Sequence, residues 1–330
     1  MNLELDDVGT IVTAGKLLSH GQISAVELTQ FFLDRIQKFD ARLHSFITVA
    51  HDRALAAAKA ADDEILAGAW RGPLHGIPFA VKDVYDVAGL VTTGGSKAFA
   101  RNPARCTATA VARLEAAGAI LLGKLATHEL THGGVDDELP WPPVRNPWNT
   151  EYDSGGSSSG AGASVAAALC SFALGTDTGG SIRKPAAMCG VTGLKPTFGR
   201  VSRMGVMLNA STLDHCGPMA STALDCAIVL QAIAGRDEAD PESSERPVPD
   251  FSGSIEQPIR GFHIGVVRHF WERDIAVDPE VGTAVDSALE VFKQLGADIN
   301  NVDLDSLGDY HAVMTTIQRP ELHATYGEEL

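Results

Sequence analysis

Three short segments of this 330-residue chain carry residue types and spacings that suit chemistry. Residues 153–162 are a run of Gly and Ser that leads into an apolar stretch, and residues 175–183 read GTDTGGSIR. Residues 128–132 read HELTH and match the HExxH pattern of zinc metalloproteases. The first two segments are typical of loops that present serine hydroxyls and backbone N–H groups, and the third is typical of a metal site.

Ser181 follows a pair of glycines at a predicted turn after a strand. Gly179 and Gly180 let the backbone turn sharply, because neither carries a Cβ that would keep neighbouring N–H groups apart. Converging N–H groups stabilise the charge that develops on a carbonyl oxygen during nucleophilic attack. From these residues alone, a nucleophilic serine beside an oxyanion site and a Gly-rich turn without chemistry are both open.

A nucleophilic serine needs a base, and none of the 11 histidines lies in a recognisable partner motif. Lys82 is an alternative base, since it follows the apolar residues 77–81, which predict a buried strand. Burial lowers the pKa of a lysine from about 10.4 toward neutrality and leaves an amine that accepts a proton. The competing interpretation is a lysine at a strand end whose ammonium reaches solvent.

Residues 155–160 (GGSSSG) also fit a flexible linker or a phosphate-binding loop. A linker is disfavoured because an apolar, helix-like stretch follows at once. A Walker-type loop is disfavoured because no Gly-Lys-Ser/Thr follows the glycines.

Residues 128–132 are the basis of a distant alternative, a zinc metalloprotease. His128 and His132 would share one helical face and bind zinc, with Glu129 as the general base. Gly133 and Gly134 follow immediately and would break that helix, and no third ligand is marked downstream.

Taken together, the chain resembles the amidase-signature family of serine hydrolases. The resemblance extends from about Leu18 to the C-terminus. Its most specific matches are to the family's conserved motifs, at residues 76–83, 155–160, 175–190, 193–202 and 212–219.

The resemblance implies a catalytic set in which Ser181 is the nucleophile and Lys82 is the base. Ser157 would relay a proton between them, held by a cis peptide bond after Gly156. Residues implied to bind the oxyanion or the substrate are Thr178, Gly179, Gly180 and Thr131. Residues implied to support the loop are Ser158, Asp177 and Arg183. The resemblance implies no metal and no cofactor.

The implied reaction is hydrolysis of a carboxylic amide C–N bond to an acid plus ammonia or an amine, through a Ser181 acyl-enzyme. The enzyme would be a hydrolase of linear amides other than peptide bonds. The alternative within the family is the glutaminase (A) subunit of a tRNA-dependent amidotransferase, although residues 204–211 look more like stand-alone amidases. The implied partners are a small-molecule amide substrate and a second copy in a homodimer.

Composition narrows the classes of protein further. A net charge of −16 disfavours direct binding of nucleic acid, which needs a basic surface. Residues 1–10 are acidic where a secretory signal would be basic, and no apolar run approaches the length of a membrane span. The 5 cysteines form no CxxC pair, so we expect free thiols in the cytoplasm.

The elements that must position these residues alternate between helix and strand, which predicts an α/β fold. The resemblance specifies a central twisted mixed β-sheet covered on both faces by α-helices. Predicted helices, the first capped by Ser24, include residues 25–36, 50–67, 107–117, 164–170, 222–234 and 279–295. Predicted strands are residues 77–81, 119–122, 171–175, 262–267 and 297–302, and residues 236–257 predict a surface loop.

We expect a single domain over residues 1–330. It would comprise an N-terminal helical segment (residues 1–70), a catalytic core (71–235), and a loop with further α/β elements (236–330). Residues 310–330 read as the beginning of a helix, and family members extend further. We therefore expect the chain to be C-terminally incomplete.

Overall fold

The computed structural model describes residues 8–134 and 138–328. The chain divides into two compact units, Met1–Ser252 with Ala324–Leu330, and Gly253–His323. The single domain expected from the sequence stays a prediction.

The first unit is built on a six-stranded sheet and a separate two-stranded hairpin. Its strands in chain order are β1 (Phe46–Val49), β2 (Pro78–Lys82), β3 (Ile120–Leu125), β4 (Arg145–Asn146), β5 (Asn149–Asp153), β6 (Phe172–Asp177), β7 (Thr192–Gly193) and β8 (His215–Ala220). The large sheet has the order β1-β3-β2-β6-β8-β7, and β4 pairs with β5. Strand β2 is parallel to β3 and β6, whereas the remaining pairs are antiparallel. The predicted mixed sheet is confirmed.

Seven described helices accompany this sheet in the first unit. They are α1 (Ile11–Ser19), α2 (Ala25–Leu43), α3 (His51–Leu66), α4 (Thr109–Ala116), α5 (Ser159–Ala166), α6 (Arg183–Cys189) and α7 (Ala223–Ile233). Ser24 caps α2 through the predicted capping box, in which Ser24 and Glu27 exchange hydrogen bonds. The helix predicted at residues 164–170 is wrong in its bounds, because α5 begins at Ser159, within the Gly/Ser run, and ends at Ala166.

The core of the first unit lies around the three central strands. Every residue of β2, β3 and β6 is buried, as expected for strands covered on both faces. Phe79 of β2 stacks on Phe172 of β6 with ring centroids 5.3 Å apart. This apolar packing fixes the ends of the two strands beside each other.

The second unit contains a parallel pair of strands, β9 (His263–Val266) and β10 (Asp298–Asn301). A π-helical turn (Phe270–Asp274) and helix α8 (Pro279–Gln294) connect them, and α9 (Leu307–Tyr326) follows. Within residues 8–134 and 138–328, no helix combines the length and the apolar character that a membrane span requires.

Candidate active site

Two parallel strands end beside each other and form the base of the site. β2 pairs with β6 through Val81 and Leu174, so Lys82 and Thr176 both follow the last paired positions. The Nζ atom of Lys82 donates a hydrogen bond to Thr176 Oγ1 at 2.8 Å. The predicted strand before Lys82 is confirmed. The side chain of Lys82 is buried and does not extend to solvent.

Ser157 lies directly against Lys82. The Nζ atom of Lys82 is 2.7 Å from Ser157 Oγ, and Ser157 is only 3% exposed. The peptide bond between Gly156 and Ser157 is cis. The Gly/Ser loop therefore supports a buried lysine–serine pair.

Burial sets the protonation of Lys82. Loss of hydration lowers the pKa of its ammonium to about 7, although the negative charges of Asp214 and Asp177 favour the protonated form. Near neutral pH, a substantial fraction of Lys82 is therefore an uncharged amine. An uncharged amine in contact with a hydroxyl can accept its proton.

The loop that carries Ser181 is joined to the loop that carries Ser157 through Ser158. The Ser158 N–H donates to the carbonyl oxygen of Ser181 at 3.2 Å. The Ser158 hydroxyl donates to the Thr176 carbonyl and accepts from the Thr176 N–H, both at 3.2 Å. One residue thus connects both serine loops to the end of β6.

Asp177 organises the turn around Ser181. Its carboxylate accepts hydrogen bonds from the backbone N–H groups of Gly180 (2.8 Å) and Ile182 (3.1 Å). It also accepts from the Arg183 Nε at 3.0 Å and from the Arg183 terminal nitrogen at 2.9 Å. Burial raises the pKa of the Asp177 carboxyl, but the Arg183 guanidinium and the backbone donors outweigh it and hold the pKa below its usual value.

These bonds determine which N–H groups remain available at the turn. The N–H of Gly180 is occupied by Asp177. Within the described parts of the chain, the N–H groups of Gly179 and Ser181 have no hydrogen-bond partner. The hydroxyl of Thr178 donates to Asp214, whose other carboxylate oxygen accepts from Asn209 N at 2.6 Å. Burial raises the pKa of Asp214 despite these bonds.

Thr131 is buried, and its backbone lies in the left-handed region at φ 60°. Leu130 before it is also left-handed, at φ 44°. The Thr131 hydroxyl oxygen has no hydrogen-bond partner among residues 8–134 and 138–328. A β-branched residue in this conformation is uncommon and occurs where surrounding structure imposes it.

The same segment rules against the metalloprotease interpretation. Residues Glu129–Thr131 form one 3₁₀ turn with left-handed backbone inside it, not an α-helix that would align His128 with His132. The part of the chain that the structure describes contains no cluster of three or more His, Cys, Asp or Glu placed to bind a metal.

Several site residues were not predicted from the sequence. Thr176 and Asp214 lie inside segments that resemble the family, but neither type marks itself as a contact of the lysine or of the loop. His128 was considered only as a metal ligand. A fully buried ion pair, Lys124 with Asp83 at 2.6 Å, adjoins Lys82 in the chain. The apolar sequences of β2 and β3 do not indicate that their polar ends lie beside each other.

Comparison with known proteins shows the family of the chain. A family model described as Amidase matches residues 27–325. The chain belongs to the amidase-signature family.

The chain is similar to particular members of known function. It is 47% identical over 299 residues to the A subunit of the glutamyl-tRNA(Gln) amidotransferase of Thioalkalivibrio sulfidiphilus, in an alignment that covers 91% of this chain and 61% of that protein. The chain thus spans less than two thirds of the length of this curated relative.

Solved structures give the same picture. The native peptide amidase of Stenotrophomonas maltophilia superposes with a TM-score of 0.86 at 34% identity, covering 97% of this chain and 68% of that one. A protein from a complex described as revealing the origins of an s-triazine catabolic enzyme superposes with a TM-score of 0.91 at 35% identity, covering 97% and 69%.

Proposed function

We propose that this protein hydrolyses the C–N bond of a carboxylic amide to an acid plus ammonia or an amine. One observation carries the proposal: Lys82, with a pKa lowered to about 7, contacts the hydroxyl of buried Ser157 at 2.7 Å. Such a pair is suited to draw a proton from a nearby serine at neutral pH. Ser181 is the serine that the adjoining loop presents.

In the first step, Ser181 Oγ attacks the amide carbonyl carbon. Its proton passes to Ser157 Oγ while the Ser157 proton passes to Lys82 Nζ. The carbonyl oxygen becomes an oxyanion, which the unoccupied N–H groups of Gly179 and Ser181 stabilise. Among the loop donors expected from the sequence, we therefore assign these two a larger role than Gly180, whose N–H is bound to Asp177.

In the second step, the C–N bond breaks and the proton returns through Ser157 to the leaving nitrogen. The product is a Ser181 ester and free ammonia or amine. Water then attacks the ester carbonyl and gives its proton to the same serine–lysine pair, which releases the acid and restores Ser181. Lys82 ends each cycle uncharged, so the net reaction consumes only water and the amide.

Thr131 is the residue we assign to the acyl pocket. Its buried hydroxyl, without a partner in the described structure, is available for a polar group of the substrate. Ser158, Asp177 and Arg183 support the loops and do not react. A small-molecule amide substrate belongs to this proposal, whereas the homodimer and the cytoplasmic location stay predictions from the sequence.

The second candidate function is that of the glutaminase component of a tRNA-dependent amidotransferase. The identity to the Thioalkalivibrio amidotransferase protein favours it. It requires the same hydrolytic chemistry on glutamine, but the ammonia passes to an acceptor on a partner. Glutaminase activity that rises when partner subunits and acceptor are added would favour this candidate over a stand-alone amidase.

The proposal is tested by labelling with a fluorophosphonate probe and by a panel of amides that includes propionamide, benzamide, glutamine and peptide amides. We expect the probe to label Ser181 and at least one amide to be hydrolysed. Ser181→Ala should abolish both, and Ser221→Ala, a change at an exposed serine, should alter neither. Hydrolysis that survives Ser181→Ala and is lost with a chelator would overturn the proposal.

A further inference from the structure

His128 lies against the peptide that carries Ser157. Its backbone N–H donates to the carbonyl oxygen of Ser157 at 3.2 Å. Its imidazole packs on Gly156 so closely that a Cβ at Gly156 would lie 2.2 Å from two ring atoms. His128 thus contacts both residues that flank the cis peptide bond, Gly156 through its ring and Ser157 through its N–H.

The orientation of His128 is itself fixed by the turn that follows it. The Thr131 N–H donates to the His128 carbonyl oxygen at 3.0 Å. The backbone of Gly133 favours the protonated imidazole of His128 and raises its pKa, against the effect of burial. The left-handed residues Leu130 and Thr131 close the turn so that the chain returns to the ring. The turn therefore fixes the backbone of His128 beside Gly156.

The charge state of His128 suits this location. Burial, together with the positive charges of Lys82 and Lys184, lowers the pKa of its imidazolium to about 4, although Asp153 and the Gly133 backbone act in the opposite direction. At neutral pH the ring is uncharged. It therefore adds no positive charge that would disfavour protonation of Lys82.

We propose that His128 is a positioning residue for the reaction: its imidazole holds Gly156 and its N–H holds the Ser157 carbonyl, so that the Ser157 hydroxyl stays against Lys82. The inference rests on the proposed function. It gives the HExxH segment a role that requires no metal. Small displacements of a reacting group are costly, since about 1 Å of misplacement reduces a rate on the order of 100-fold.

The first test replaces His128 by glycine and measures steady-state kinetics on the amide that the panel identifies. We expect His128→Gly to lower kcat about 100-fold with little change in KM, because proton transfer and not substrate binding is affected. Imidazole added to the solution should fill the vacated space and restore kcat at least about tenfold. His132→Gly, the matched change at the other histidine of the motif, should leave kcat unchanged.

The second test probes the contact between Gly156 and the imidazole ring of His128. Gly156→Ala should slow the labelling of Ser181 by the fluorophosphonate strongly, because the added methyl group collides with His128. In the His128→Gly background the same change should cost much less, since the obstructing ring is gone. Additive effects of the two substitutions would contradict direct packing.

The outcomes separate this inference from the proposed function. Absence of Ser181 labelling in the parent protein would overturn the proposed function itself. Normal labelling in the parent with a kcat of His128→Gly within threefold of the parent, or a loss confined to KM, would overturn only the role of His128. If His128→Gly does not fold, His128→Phe keeps a ring against Gly156. It should retain kcat within about tenfold, and a folded His128→Phe without activity would overturn the role.

Discussion

The loops that carry Ser157 and Ser181 are built from similar residues but are stabilised by different interactions. Ser157 is almost fully buried, and its hydroxyl contacts Lys82. Ser181 is half-buried, and within residues 8–134 and 138–328 its hydroxyl has no hydrogen-bond partner. Packing of His128 on Gly156 fixes the first loop. Hydrogen bonds to the single carboxylate of Asp177 fix the second.

The difference follows from what each serine must do in the proposed reaction. A relay to a lysine of lowered pKa works only where water is excluded, because hydration would restore the ammonium. A nucleophile must instead be open to the substrate, and its loop must offer N–H groups to the oxyanion. Dense packing suits the first requirement, and a bonded but accessible turn suits the second.

Replacing each serine by alanine tests the difference between the two serines most directly. Ser181→Ala removes the nucleophile, so we expect kcat to fall on the order of 10⁶-fold. Ser157→Ala removes only proton relay, and we expect a fall of about 10²- to 10⁴-fold. Single-turnover hydrolysis and fluorophosphonate labelling measure both effects.

The labelled residue distinguishes the two roles. Slow labelling of Ser181 should persist in Ser157→Ala and be absent in Ser181→Ala. Labelling of Ser157 in either protein, or equal losses in the two variants, would mean that the roles are wrongly assigned.

The buried pair of Ser157 and Lys82 also predicts how kcat/KM depends on pH. Only the unprotonated amine of Lys82 accepts a proton, and its pKa is lowered to about 7. As the pH falls from 7 to 5, that fraction falls about 50-fold, and kcat/KM should fall with it. Above the pKa of Lys82, kcat/KM should level off.

A profile of kcat/KM from pH 5 to 9, with a substrate that does not itself titrate there, measures this dependence. Protein that has been held at pH 5 and returned to pH 8 should recover full activity, which separates titration from unfolding. A rate that is flat across the whole range would show that Lys82 is not the base whose protonation limits the reaction.

The position of Lys82 at a strand end could be predicted because a local pattern indicates it. Lys82 ends a strand whose apolar run is evident in the sequence, and the structure ends β2 at that residue. The contacts of these residues depend instead on the sheet. Thr176 meets Lys82 only because β6 pairs with β2, and strand pairing over such separations leaves no local signal.

There are also physical reasons why some elements could not be predicted from the sequence. Strand β8, His215–Ala220, contains Gly217 and Pro218, which argue against a strand when read alone. Pairing with β6 stabilises it nonetheless. The HELTH segment has helical spacing, but the glycines that follow and the packing of His128 on Gly156 favour a tight turn.

Asp177→Asn should destabilise the loop that carries Ser181. The asparagine amide places an N–H group where the carboxylate accepts from Ile182 or Arg183, so donors would face donors. We expect kcat to fall about 10- to 30-fold through a displaced turn, whereas labelling still occurs at Ser181. Asp63→Asn, at an exposed aspartate, is the matched control and should have parental kinetics. Parental kcat in Asp177→Asn would show that Asp177 does not organise this turn.

The smallest expected effect concerns Ser158, the residue that connects the two loops. Ser158→Ala leaves the N–H and the carbonyl of Thr176 without their side-chain partner in a buried location, although the Ser158 N–H can still bind Ser181. A lost buried hydrogen bond costs about 1–2 kcal/mol of unfolding free energy, which for a unit of this size lowers Tm by roughly 2–8 °C. Because the backbone bond between the loops remains, kcat should change less than about fivefold. Calorimetry beside Ser221→Ala measures the stability, and a loss of activity as large as that of Ser157→Ala without a change in Tm would place Ser158 in the proton relay instead.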